Sequence, residues 1–183
     1  MARIVGGVAG GRRIDVPRGT TTRPTAERTR EGLFSALESM LGSLADQPFL
    51  DLYAGSGAVG LEAASRGTAP VRLVENAATA LRVIRDNIAT LALPHVELSG
   101  EPVERLLSGD PDNSYAVVFL DPPYAVSAVR PVALLVERGW LAPGAVVVVE
   151  RATRDGAWEW PDGLVADRMR RYGDSTLWYG RRP

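Results

Sequence analysis

Asp121-Pro122-Pro123-Tyr124 joins an acid, two prolines and an aromatic ring in an order that few chemistries require. The apolar run just before it, Ala116 to Leu120, reads as a buried strand that ends at Asp121. The acid then stands at the carboxyl end of a strand, where open α/β sheets place their ligands. The prolines remove two backbone N–H donors and stiffen the turn, so its carbonyls can face a substrate without competition. Tyr124 offers a flat face for a planar group. Carboxylate, free carbonyl and ring together match the edge and face of a nucleobase amine.

A second constellation lies upstream. Asp51 to Gly60 reads D-L-Y-A-G-S-G-A-V-G, a literal G-x-G-x-x-G between a strand and a helix. Glu75 follows Gly55 by 20 residues and ends the next strand-like run. That spacing suits a nucleoside cofactor whose ribose hydroxyls bind the carboxylate. The glycines alone admit a dinucleotide as readily as S-adenosylmethionine. Asp51 tips the choice: a carboxylate four residues before the first glycine is ill placed beside a pyrophosphate. It suits a cofactor that carries an ammonium and a sulfonium.

The elements that must position these residues alternate. Strands are expected over 49–53, 71–75, 96–99, 116–120 and 145–150, with helices at 58–66, 77–92, 101–108 and 127–138. Such alternation implies an α/β fold with a parallel sheet covered on both faces. Two further strands near 164–172 and 175–180, joined at Gly173-Asp174, predict an antiparallel hairpin at the C-terminal end. Residues 3–16 predict an N-terminal β-hairpin, with Ile4–Val8 and Arg13–Val16 as its strands around Ala9-Gly10-Gly11. Thr25 is a suitable N-cap for an amphipathic helix over 25–44, built on Leu33, Phe34, Leu37, Met40, Leu41 and Leu44. The expected organisation is a basic arm, 1–24, and a Rossmann-like domain, 25–183.

Composition narrows the chemistry. The 183 residues contain no cysteine and a single histidine, His95, which excludes thiolate chemistry and leaves no cluster for a metal. Net charge is −1, but residues 1–30 hold seven arginines against Asp15 and Glu27. A basic arm on an acidic body suits a polyanion, with Arg12, Arg13, Arg18 and Arg23 as candidate phosphate contacts. Nothing near the N-terminus resembles a signal peptide and no run reaches membrane-spanning length, so a cytoplasmic protein is expected.

The chain resembles the class I S-adenosylmethionine-dependent methyltransferases, and most closely the RsmD family of ribosomal RNA methyltransferases. The resemblance rests on Arg3-Ile4-Val5-Gly6-Gly7, Gly11-Arg12-Arg13, Thr22-Arg23-Pro24-Thr25, Arg30-Glu31-Gly32-Leu33-Phe34, then 51–67 and 121–124. It implies methylation of the exocyclic N2 of one guanine in 16S ribosomal RNA within an assembling small subunit; a monomer is the default expectation. It also implies that Tyr53, Gly55, Ser56 and Gly57 line the methionine and ribose part of the cofactor. Glu75 then holds the ribose hydroxyls with Asn76 beside it, and Glu101 accepts from the adenine amine. Pro102 departs from the pattern, because it has no N–H to offer the ring. Thr25 and Arg23 stand where the first helix could present its N-terminal end to the cofactor carboxylate. Asp121 and the Pro122 carbonyl would accept the two amine hydrogens, with Pro123 shaping the turn and Tyr124 stacking on the base.

Other readings compete. The acid-Pro-Pro-aromatic motif also serves DNA adenine-N6, cytosine-N4 and protein-glutamine methyltransferases. The glycine pattern alone suggests an NAD-dependent oxidoreductase, and a non-catalytic ribosome-assembly factor could keep the same fold. The four tryptophans are expected in the core or at its edge, and Glu150 is expected to be structural.

Overall fold

A computed structural model describes residues 1–19 and 24–183, with the side chains of Pro24 and Thr25 excepted. Arg23 and the Thr25 side chain, two expected site groups, therefore lie outside the described residues. No described helix is long and apolar enough to cross a membrane.

The body is one seven-stranded sheet. Its strands are β3 (Phe49–Leu52), β4 (Val71–Val74), β5 (Val96–Ser99), β6 (Tyr115–Leu120), β7 (Leu141–Ala152), β8 (Val165–Tyr172) and β9 (Ser175–Arg181). They lie in the order β5-β4-β3-β6-β7-β9-β8. The first five strands of that order run parallel, and β9 joins β7 and β8 antiparallel. The chain builds outward from β3 through β4 to β5, then returns to β6 on the other side of β3. This reversal opens a crevice beyond the carboxyl ends of β3 and β6. Leu52 pairs with Leu120 there, so Tyr53 and Asp121 leave the sheet together.

Alternation along the buried strands separates two cores. Leu50, Leu52, Val118, Leu120, Val147 and Val149 face α4 (Val103–Ser108) and α5 (Val129–Glu137). Phe49, Val117, Phe119, Val146 and Val148 face α1 (Pro24–Leu41) and α2 (Ala58–Ser65). By the same period Asp51, Asp121 and Glu150 project to the α1 side, Asp51 level with Phe119 and Val148, two residues before Asp121 and Glu150. Trp140 is fully buried, while Trp158 and Trp160 pack on the edge of the first core.

The first helix stops at Leu41, short of the expected 44, where the Gly42 N–H closes on the Glu38 carbonyl. Leu44 is buried all the same, beyond the helix. The expected N-terminal hairpin is smaller than its apolar pattern implied. Its strands are β1 (Ala2–Arg3) and β2 (Arg13–Ile14), paired Ala2 with Ile14 and Arg3 with Arg13. Residues 5–9 are drawn instead onto α2. Val5 and Gly6 N–H donate to the Glu62 carboxylate at 2.7 Å each, and Val8 and Ala9 N–H donate to Ser65. Ala2, Ile4, Ala9 and Ile14 share a third core with Leu61, Leu73 and, from α3 (Ala78–Leu91), Ile84 and Leu91. The arm is thus packed into the body.

Candidate active site

The glycine loop between β3 and α2 is held by carboxylates from two strands. Asp51 is buried beneath it and its Oδ2 accepts the Gly60 N–H at 2.8 Å. A side chain at Gly60 would meet Leu73 Cδ2 at 2.1 Å, so only glycine lets α2 lie this close to β4. Burial pushes the Asp51 pKa up to about 7, against the opposing pull of the Gly60 N–H and with a further push from the Glu75 charge. The carboxylate expected to meet the cofactor is first an anchor of the loop.

Glu75 grips the other side. Its Oε2 accepts the Gly55 N–H at 2.9 Å, while Oε1 accepts the Asn76 and Ala77 N–H groups at 2.8 Å. Gly55 sits at φ +59°, and a Cβ there would enter open space with nothing within 4 Å. The loop therefore presents bare backbone to the crevice. Asn87 completes the frame: its Nδ2 donates to the Ser56 and Asp15 carbonyls, and its Oδ1 accepts the Asp15 N–H. Nothing but its place on the inner face of α3 marks Asn87 in the sequence.

Two adjoining cavities open on this frame. The larger, about 700 Å³, is walled by Tyr53, Gly55, Glu75, Asn76 and Pro102 on one side and by residues 121–124 on the other. The smaller, about 270 Å³, reaches Asp51 and Ser56 and runs beneath α1. Tyr53, Gly55, Asp121 and Glu150 border both. Tyr53, at φ +63°, has its hydroxyl pushed up to about 12 by burial and then by the Glu104 charge.

The Asp121 N–H reaches the Leu52 carbonyl at 3.4 Å, which extends the ladder one step and aims its carboxyl into the crevice. Asp121 is exposed to solvent where it lines the crevice. The surrounding protein raises its pKa well above the ordinary range, and the charges of Glu150 and Asp51 add to the effect. Glu150 is raised as well, by burial, with a hydrogen bond from Ser175 opposing. The chain thus concentrates proton affinity at Asp121 and Glu150, and Glu150 lines the cavity wall. Its signal was legible: it follows the apolar run Val146–Val149, as Asp121 follows the run to Leu120. Tyr124 stands at the mouth, 85 % exposed, with the Arg154 guanidinium 5.5 Å from its ring centroid.

Other expected residues fall elsewhere. Gly57 begins α2 at φ +79° and lies outside the walls of both cavities. Glu101 lies outside them also; its carboxylate accepts the Ser99 hydroxyl at 3.1 Å, and Pro102, Val103 and Glu104 form the wall. Arg12 caps the end of α3, donating to the Leu91 carbonyl at 3.0 Å and to the Thr90 carbonyl. Arg13 and Arg18 are exposed.

Comparison with known proteins places this geometry. The family model described as conserved hypothetical protein 95 matches residues 2–181. Ribosomal RNA small subunit methyltransferase D of Escherichia coli is 36% identical over 157 residues, which span 84% of this chain and 76% of that protein. A putative rRNA methyltransferase of Bacillus subtilis, YlbH, is 31% identical over 176 residues, 93% of this chain and 94% of its own length. The solved structure of the putative methyltransferase yhhF from Escherichia coli superposes with a TM-score of 0.88 at 31% identity, covering 98% of this chain and 97% of that one. This chain belongs to the conserved hypothetical protein 95 family, the RsmD family whose motifs its N-terminal segment and strand-end loops carry.

Proposed function

We propose that this protein is an S-adenosylmethionine-dependent methyltransferase of ribosomal RNA that methylates the exocyclic N2 of a guanine in the small-subunit 16S RNA. The observation that carries the reading is the position of Asp121. It borders both cavities, one step from a glycine loop whose backbone lies bare to the crevice. The name of the 36% identical relative, a ribosomal RNA small subunit methyltransferase, supports small-subunit ribosomal RNA as the substrate.

The walls suit the cofactor. Glu75, Glu104, Asp121, Glu150 and Asp155 outnumber Arg151 around the larger cavity, a negative lining for a ligand with a sulfonium and an ammonium. Glu75 would hold the ribose hydroxyls beside Asn76, and the loop at Tyr53, Gly55 and Ser56 the part nearest the methionine. When bound, the cofactor supplies an electrophilic methyl group and a neutral thioether leaving group.

A guanine amine is a poor nucleophile because its lone pair is delocalised into the ring. Asp121 Oδ and the Pro122 carbonyl oxygen each accept one amine N–H, which turns the nitrogen lone pair toward the cofactor side of the crevice. Tyr124 stacks on the base and keeps water from it. Methylation of a neutral amine releases one proton, and Asp121 with Glu150 has the raised proton affinity to take it. The base must leave its stack to enter.

The test is transfer of labelled methyl from S-adenosylmethionine to undermethylated small subunits, bare rRNA, duplex DNA and a release factor. Label in the small subunit or its RNA is the expected result. Label confined to DNA or protein would overturn the reading.

A further inference from the structure

A groove of about 330 Å³ adjoins the larger cavity and shares Arg151 and Asp155 with it. Ser127 and Val129, at the start of α5, form one bank, and residues 155–159 form the other. Both banks are extensions of the catalytic strand ends: one follows Tyr124 on the chain, the other follows Glu150. A polymer leaving the base cavity on this side has the groove as its path.

The charge inside the groove is net negative. Arg151 pairs with Asp155 at 3.1 Å, and Glu159 adds a carboxylate. That interior suits the face and donor edge of a neutral base better than a phosphate. The cation stands on the rim instead. Arg154 is exposed, lies over the Tyr124 ring, and has no carboxylate partner among the described residues. Val129, 60% exposed, lines the apolar side of the groove.

We propose that the groove seats the nucleotide adjacent to the methylated guanine, with Arg154 holding the phosphate that joins the two. The neighbour's base lies between Val129 and the Arg151–Asp155 pair. This extends the rRNA reading and rests on it. Arginine on a phosphate and a base on a partly apolar floor are the usual division of labour for single-stranded nucleic acid.

Kinetics on undermethylated small subunits test the proposal. Arg154→Ala raises KM about tenfold and lowers the salt dependence of log KM by about 0.7–1 per decade of salt, as loss of one phosphate contact requires. Its kcat stays within about twofold of wild type, and calorimetric binding of S-adenosylhomocysteine is unchanged, which shows the fold is intact. Arg154→Lys recovers most of the loss because it keeps the charge. Val129→Glu, which puts a carboxylate in the groove, raises KM with the same binding control. An unchanged KM or salt slope in Arg154→Ala, or Arg154→Lys as impaired as Arg154→Ala, overturns the phosphate assignment. An unchanged KM in Val129→Glu overturns the groove as the neighbour's seat. Absence of methylation by the wild-type protein in the same assay removes the rRNA reading itself, a result distinct from a selective loss in the variants.

Discussion

Asp121 and Glu150 stand side by side at the carboxyl ends of β6 and β7, one step past the pairing of Leu120 with Val149. Each carboxyl is pushed above its ordinary pKa by burial, and Glu150 adds its own charge to the push on Asp121. The two therefore titrate as a unit. Asp121 must be ionised to accept an amine hydrogen, so kcat/KM should rise with pH along an acid limb above the usual carboxylate range near 4. Glu150→Gln removes the like charge, which lowers the Asp121 pKa and moves that limb to lower pH. A limb at the same pH in the variant would show that the two acids do not interact.

Asp51 makes stability depend on pH in the opposite direction from most paired acids. Its folded pKa of about 7 lies above the unfolded value of 3.8, so the folded state binds the proton more tightly. The contribution is full below the unfolded value and is lost as pH rises toward 7. Asp51→Asn, neutral at every pH and still able to accept the Gly60 N–H, should flatten that decline. Thermal midpoints of the two proteins between pH 4 and 8 check it; parallel curves would contradict the assignment.

Glu62 is buried with four donors on its carboxylate: the Val5 and Gly6 N–H groups, and the guanidinium groups of Arg30 and Arg66. Arg30 is itself buried and also donates to the Arg3 carbonyl. Glu62→Ala leaves that cation without its partner and releases the N-terminal segment. The expected loss is about 3–5 kcal/mol, read by denaturant unfolding. A loss below about 1 kcal/mol would mean that the segment docks through its apolar residues alone.

Gly60→Ala drives a methyl group to 2.1 Å from Leu73 Cδ2 and 3.2 Å from Asp51 Oδ2. Leu73 is fully buried, so the shift needed is shared with the loop. Stability should fall by about 1–3 kcal/mol, and affinity for S-adenosylhomocysteine should fall with it. Unimpaired binding at lowered stability would separate the loop's geometry from its packing.

The sheet was legible because buried parallel strands leave continuous apolar runs, and Asp121 and Glu150 each follow such a run. Phe49, Val71, Val96 and the run to Leu120 gave β3 to β6 within a residue or so, and Gly173-Asp174 marked the final turn. The N-terminal pairing was less legible. Ile4 to Val8 reads as a strand-like run, but the Val5 and Gly6 N–H groups answer to Glu62, 56 residues or more away, and nothing local records that partner. Arg12 shows the same limit for charge: an exposed cation in sequence becomes a helix cap once Thr90 and Leu91 are near. Glu150 differs, since its place at a strand end was visible and only its proximity to Asp121 required the sheet order.

The central claim is the identity of the methylated atom. Nucleoside mass spectrometry of undermethylated small subunits, treated with S-adenosylmethionine and either wild-type protein or Asp121→Ala, addresses it most directly. The expected product is N2-methylguanosine in the 16S RNA with wild type, and a loss of about 10²–10⁴ in rate with Asp121→Ala. A different methylated nucleoside, or an Asp121→Ala rate equal to wild type, would contradict it.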